Sequence, residues 1–96
     1  MIAVASEGKT KDSEISVKAG RAPYYLFFEG KKLVEAWKNP FAVGGGGAGF
    51  AVAKVVAGKG VDKVVVGKAG PNFEGALEER GVKLVEKTGS VKGALQ

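Results

Sequence analysis

"VDKVVVGKAGPNFEGALEERGVKLVE", residues 61–86, holds one complete strand–helix–strand unit. Val61 to Val66 is a near-continuous β-branched run, the composition of a strand buried on both faces. Gly67-Lys68-Ala69-Gly70 makes a loop. Pro71 stands where the first helical residue belongs, because proline's missing N–H is no loss there. Phe73, Ala76, Leu77 and Arg80 follow at helical spacing, and Gly81 ends the helix. Val82 to Glu86 reads as the next strand. Two such strands joined through a helix imply parallel pairing and a right-handed crossover. The class is therefore α/β.

Upstream, "FAVGGGGAGFAVAK", residues 41–54, sets four consecutive glycines before an alanine- and valine-rich run. Ala48 to Ala57 is apolar apart from Lys54, and its length and alanines predict a helix packed on a sheet. Gly58 and Gly60 end it. At the start of the chain, Ile2 to Ala5 reads as a buried strand. Residues 6–22 are polar without a period and read as a long surface loop, a kind more often functional than a plain connector. Tyr24 to Phe28, the turn Glu29-Gly30-Lys31, and Lys32 to Trp37 make a hairpin. Tyr24, Tyr25, Phe27 and Phe28 should face alternate sides, with Trp37 and Phe41 as core or loop anchors. Asn39-Pro40 breaks the third strand. Ser90 caps a short last helix carrying Val91, Ala94 and Leu95. The expectation is a single domain over residues 1–96: a five-stranded mixed sheet with helices on both faces and strand three at an edge, open to pairing into a dimer.

Composition narrows the chemistry. The chain has no cysteine and no histidine. Disulfides, thiolate or imidazole ligands and the commonest general base are thereby excluded. Net charge is +5, with bases and acids interleaved, so an anionic partner is allowed but not demanded. No apolar run approaches a membrane span, and the first residues lack a signal-peptide pattern. The expected setting is the cytoplasm. Abundant lysine and glutamate with a single methionine suit a hot-growing organism.

In an open α/β sheet, ligands bind where loops leave the carboxyl ends of the parallel strands. Three segments should meet there: the loop beginning Ser6-Glu7-Gly8, the glycine run opening the first helix, and Gly67 to Asn72 opening the second. Helix starts aim unpaired N–H groups and a partial positive charge at a ligand. The expected anion site comprises Ser6, Gly45, Gly46, Gly47, Ala48, Ala69, Gly70 and Asn72, with Lys18, Arg21 and Lys68 adding full charges. The simpler reading of the glycines is a tight loop packed near the sheet edge. Gly44, Gly46 and Gly49 match a dinucleotide fingerprint by count, but no acid follows the next strand to hold a ribose. Glu7, Asp12 and Glu14 could gather around a hard cation, and Glu7 and Asp12 offer an alternative, a metal-dependent phosphoester hydrolase; three acids among Lys9, Lys11 and Lys18 read more simply as a solvated face. A nucleic-acid or protein interaction module is the other alternative, although no nucleic-acid motif appears.

"IAVASEGK", "GRAPYYLFFEGKK", the glycine run with "GKAGPN", and the closing "TGSVKGAL" resemble the dinitrogenase iron–molybdenum cofactor biosynthesis family over nearly the whole chain. The resemblance implies a ribonuclease H-like motif with sheet order 3-2-1-4-5 and strand two antiparallel. It implies a non-catalytic role: binding or carrying an anionic metal–sulfur cluster or its precursor, with a protein partner in cofactor assembly. Family members commonly carry His-Phe, the suspected cluster ligand, where Lys18-Ala19 stands here. An iron–molybdenum or other metal–sulfur cluster would have to be held here without Cys or His ligands.

Overall fold

Ala3, Val4 and Ala5 are fully buried, because the first strand runs through the middle of the sheet and is covered on both faces. The computed structural model describes residues 1–43 and 47–95. In chain order the elements are β1 (Ile2–Ser6), β2 (Tyr24–Glu29), β3 (Lys32–Lys38), α1 (Ala48–Ala57), β4 (Lys63–Val66), α2 (Pro71–Glu79), β5 (Lys83–Glu86) and α3 (Val91–Ala94). The sheet order is β3-β2-β1-β4-β5. β2 runs antiparallel to both β1 and β3, while β1, β4 and β5 are parallel. Fold class, sheet order and the orientation of strand two agree with the sequence expectation.

Alternation along each strand sorts the side chains into two cores. On one face Ala3, Ala5, Tyr25, Phe27, Val64 and Val66 receive Val52 and Val56 of α1 with Phe73 and Leu77 of α2. On the other, Val4, Leu26, Phe28 and Val65 are covered by Val91 and Ala94 of α3 and by Ile15 from the long loop. Each large side chain fully removed from water contributes roughly 1.5–3 kcal/mol. β3 is the outer strand, and Trp37 leans from it onto Tyr25 with ring centroids 6.4 Å apart.

Two strand starts fall later than the sequence suggests. β4 begins at Lys63, because the Asp62 N–H turns aside to Met1 O at 2.8 Å. β5 begins at Lys83, because the Val82 N–H closes the end of α2 on Leu77 O at 3.0 Å. The long loop also differs from a simple surface connector. It is pinned by short bridges Ser6↔Ile15, Glu14↔Ser90 and Lys18↔Lys68, and it buries Ile15, Ala19 and Ala22. Single apolar residues without a period leave no helical or strand signature. The loop also packs closely on Gly67. The Gly67 N–H donates to Ser16 O at 2.8 Å, and a Cβ on Gly67 would lie 2.6 Å from Val17 Cα.

Candidate functional site

A basin of about 420 Å³ opens beyond the carboxyl end of β4. Three segments wall it: Val17 to Arg21 of the long loop, Gly47 to Gly49 at the start of α1, and Lys68 to Phe73 at the start of α2. Of the residues expected to form a site, Lys18, Arg21, Gly47, Ala48, Lys68, Ala69, Gly70 and Asn72 line it. Gly45 and Gly46 lie outside the described residues. Ser6 does not line the basin. It is fully buried at the end of β1, where its hydroxyl donates to Gly8 O at 2.7 Å and accepts from the Gly8 N–H at 3.2 Å. The long loop therefore contributes its second half to the basin, while its Ser6-Glu7-Gly8 opening turns on itself.

The two helix starts converge because their first turns pack closely. A Cβ on Gly49 would lie 3.5 Å from both Asn72 Cβ and the Phe73 backbone nitrogen. Gly47 caps α1 at φ +85°, a conformation that favours glycine. The Ala51 N–H donates to Gly47 O, and among the described residues the N–H groups of Ala48, Gly49 and Phe50 have no helical acceptor. In α2 the first bond is Glu74 N–H to Gly70 O, which leaves those of Asn72 and Phe73. Each helix start adds a favourable interaction with an anion of about 0.3–1 kcal/mol. Ala69 contributes differently, since its N–H already donates to a carboxylate oxygen of Glu86 at 2.8 Å.

The side charges are one-signed. Lys18, Arg21 and Lys68 line the basin, and no carboxylate does among the described residues. Lys18 and Lys68 stand on backbones joined by their parallel bridge, with the Ala19 N–H on Lys68 O at 3.2 Å. Arg21 is held by its Nη1 donating to Phe41 O at 3.3 Å.

Behind the wall sits Asn39, which in the sequence marks only the end of a strand. Asn39 is almost completely buried. Its Nδ2 donates to Gly20 O at 3.1 Å and Ala22 O at 2.9 Å, and its Oδ1 accepts from the Phe41 N–H at 2.9 Å. The Tyr25 hydroxyl donates to Ala19 O at 2.6 Å from a buried position. Burial pushes this phenol's pKa well above its usual range, so it remains a donor. Asn39 and Tyr25 thus fix the backbone that presents Lys18 and Arg21. The only sequence signal for Asn39 was a polar residue directly after a strand and before a proline, and that pattern says nothing of burial. Glu86 gave none beyond being the last residue of a strand.

Glu7 and Asp12 are exposed in the long loop. Among the described residues no group of three or more carboxylates is placed to hold a metal ion, and no helix is long and apolar enough to cross a membrane.

The fold and basin define a small α/β domain that offers backbone amides and cations at the carboxyl edge of a mixed sheet. The chain belongs to the dinitrogenase iron-molybdenum cofactor family, whose model matches residues 1–96. Two solved structures show how far the likeness extends. The orange protein from Desulfovibrio gigas, solved in its apo form, is 28% identical with a TM-score of 0.82 over 99% of this chain and 82% of its own. A candidate NifB protein from Thermotoga is also 28% identical, with a TM-score of 0.80 over 98% of this chain and 82% of its own. A search of curated proteins finds no match.

Proposed function

We propose that this chain is a non-catalytic carrier or accessory domain that holds an anionic metal–sulfur cluster, or a precursor of one, during cofactor assembly. The observation that carries the reading is the convergence of two helix starts on one basin lined by Lys18, Arg21 and Lys68 and by no described carboxylate. Membership in a cofactor family supports the identity of the cargo. The donor set defines how the cargo is held. With no cysteine or histidine in the chain, neither thiolate nor imidazole reaches a metal. Amide N–H groups, ammonium and guanidinium groups instead meet the outer sulfur or oxygen atoms of an anion. Such a grip is reversible and suits delivery to a protein partner in assembly.

The test is a titration of the full chain with tetrathiomolybdate in the absence of oxygen. Binding is expected at low salt and should weaken steeply as ionic strength rises, because Lys18 and Lys68 are exposed, Arg21 is half-buried, and such charges are screened over about 8–10 Å. Absence of binding at low salt overturns the reading.

A further inference from the structure

We propose that the protein carries a second anion site, separate from the basin: a small hollow ringed by Lys11, Lys31 and Lys92 that takes a phosphoryl dianion. The hollow has a volume of about 70 Å³ and is lined by these three lysines and Leu95. It lies at the other end of the sheet. Lys31 stands in the turn between β2 and β3, and β2 ends there beside the start of β1, where Phe28 pairs with Ile2. The basin opens beyond the opposite end of the parallel strands. This assignment does not depend on the carrier reading.

Each lysine comes from a different part of the chain: Lys11 from the long loop, Lys31 from the hairpin turn and Lys92 from α3. Their backbones are fixed. The Lys92 N–H donates to Lys11 O at 2.9 Å, and the Val91 N–H donates to Ser13 O at 2.9 Å, so α3 is fastened to the loop. Lys31 sits in a two-residue turn whose Gly30 takes φ +59°. Lys11 is half-buried, which limits where its ammonium can go. Gathering three ammonium groups is unfavourable unless an opposite charge joins them. Among the described residues no carboxylate lines the hollow, and none of the three lysines forms an ion pair.

The donor set defines the guest. The basin offers backbone amides at helix starts. The hollow offers ammonium groups, strongly hydrated point charges that suit a compact oxyanion of high charge density. Its volume fits one tetrahedral phosphoryl group and is far below the 420 Å³ of the basin. Leu95 gives the rim one apolar contact, which can meet carbon when the phosphoryl group belongs to an organic ester.

A nuclear magnetic resonance titration of the isotope-labelled full chain, at low salt and mildly alkaline pH, tests the site with two probes, inorganic phosphate and glycerol 2-phosphate. Both should shift the backbone amides of Lys11, Lys31 and Lys92 together, along one saturable curve. Tighter binding of glycerol 2-phosphate assigns the phosphoryl group to an organic ester resting on Leu95. Equal or tighter binding of inorganic phosphate assigns it to the free ion. Lys31→Gln and Lys92→Gln should each weaken binding roughly three- to tenfold. Lys54→Gln removes the same charge from α1, on the opposite face of the sheet, and should leave binding unchanged. Unchanged affinity in both Lys31→Gln and Lys92→Gln, or an equal loss in Lys54→Gln, overturns the site. Shifts that never saturate, or no shift at the three amides, overturn it as well, whatever happens at the basin.

Discussion

The carboxylate of Glu86, at the end of β5, accepts a 2.8 Å hydrogen bond from the backbone N–H of Ala69 in the loop that opens α2. The loop that is to attract an anion thus already holds one from its own chain. Glu86 orders the loop, and it also sets a negative charge beside the basin. Glu86→Gln keeps an acceptor for the Ala69 N–H and removes the charge. Tetrathiomolybdate should bind this variant roughly two- to tenfold tighter at low salt, from lost like-charge repulsion at a partly solvated site. The gain should shrink at high salt. Unchanged affinity at low salt would mean that the carboxylate does not influence the bound ion.

Lys18 and Lys68 carry the opposite prediction. Both are exposed, and neither forms an ion pair among the described residues. Lys18→Gln and Lys68→Gln should each weaken anion binding several-fold at low salt and flatten its salt dependence. Surface substitutions of this kind leave stability within about 0.5 kcal/mol, which a urea midpoint can check.

Asn39 tests whether the wall must be held rigid. Asn39→Ala strips hydrogen bonds from the carbonyls of Gly20 and Ala22 and from the Phe41 N–H. Leaving buried polar groups without partners costs about 1–3 kcal/mol each, so urea denaturation should show a clearly lowered midpoint. Anion affinity should also fall in the folded variant, because Arg21 and Phe41 lose their common anchor. An Asn39→Ala protein with wild-type affinity would show that the loop positions itself.

Gly67 and Gly70 separate steric need from loop flexibility. A Cβ at Gly67 meets backbone, Val17 Cα at 2.6 Å and Ser16 O at 2.7 Å, and backbone cannot swing away. Gly67→Ala should destabilise the protein by about 1–3 kcal/mol. Gly70 has nothing within 4 Å of a Cβ and an extended φ of −82°. Gly70→Ala should therefore cost under about 1 kcal/mol. Equal midpoints in a urea series would refute the close approach of the long loop to the turn after β4.

Much of the fold could be read in advance, and particular residues show why. The run Val64-Val65-Val66 allows little besides a strand covered on both faces, and all three are buried. Pro71 marks the helix start, and α2 begins there. Tyr25 and Phe27 face one core while Leu26 and Phe28 face the other, as a period of two requires. Lys68 has a local signature, a charge in the glycine-rich loop that opens α2, whereas Lys18 and Arg21 sit in a polar loop far along the chain and only the tertiary fold sets them beside it. Ser6 misled because an exposed and a buried serine look alike in sequence. Asn39, Glu86 and the approach of Gly49 to α2 could not be found, since each depends on residues far along the chain.

The sequence alone determined the order and type of the elements, the sheet class, and the exclusion of thiolate and imidazole chemistry. Those follow from local periodicity, backbone chemistry and composition, which act over a few residues. Tertiary structure alone decided that the second half of the long loop, and not its beginning, forms the basin wall. It also decided that Asn39 and Tyr25 brace that wall and that Glu86 claims the Ala69 amide. These are matters of which backbone groups meet across the fold, and steric fit and hydrogen-bond completion settle them only once the sheet has assembled.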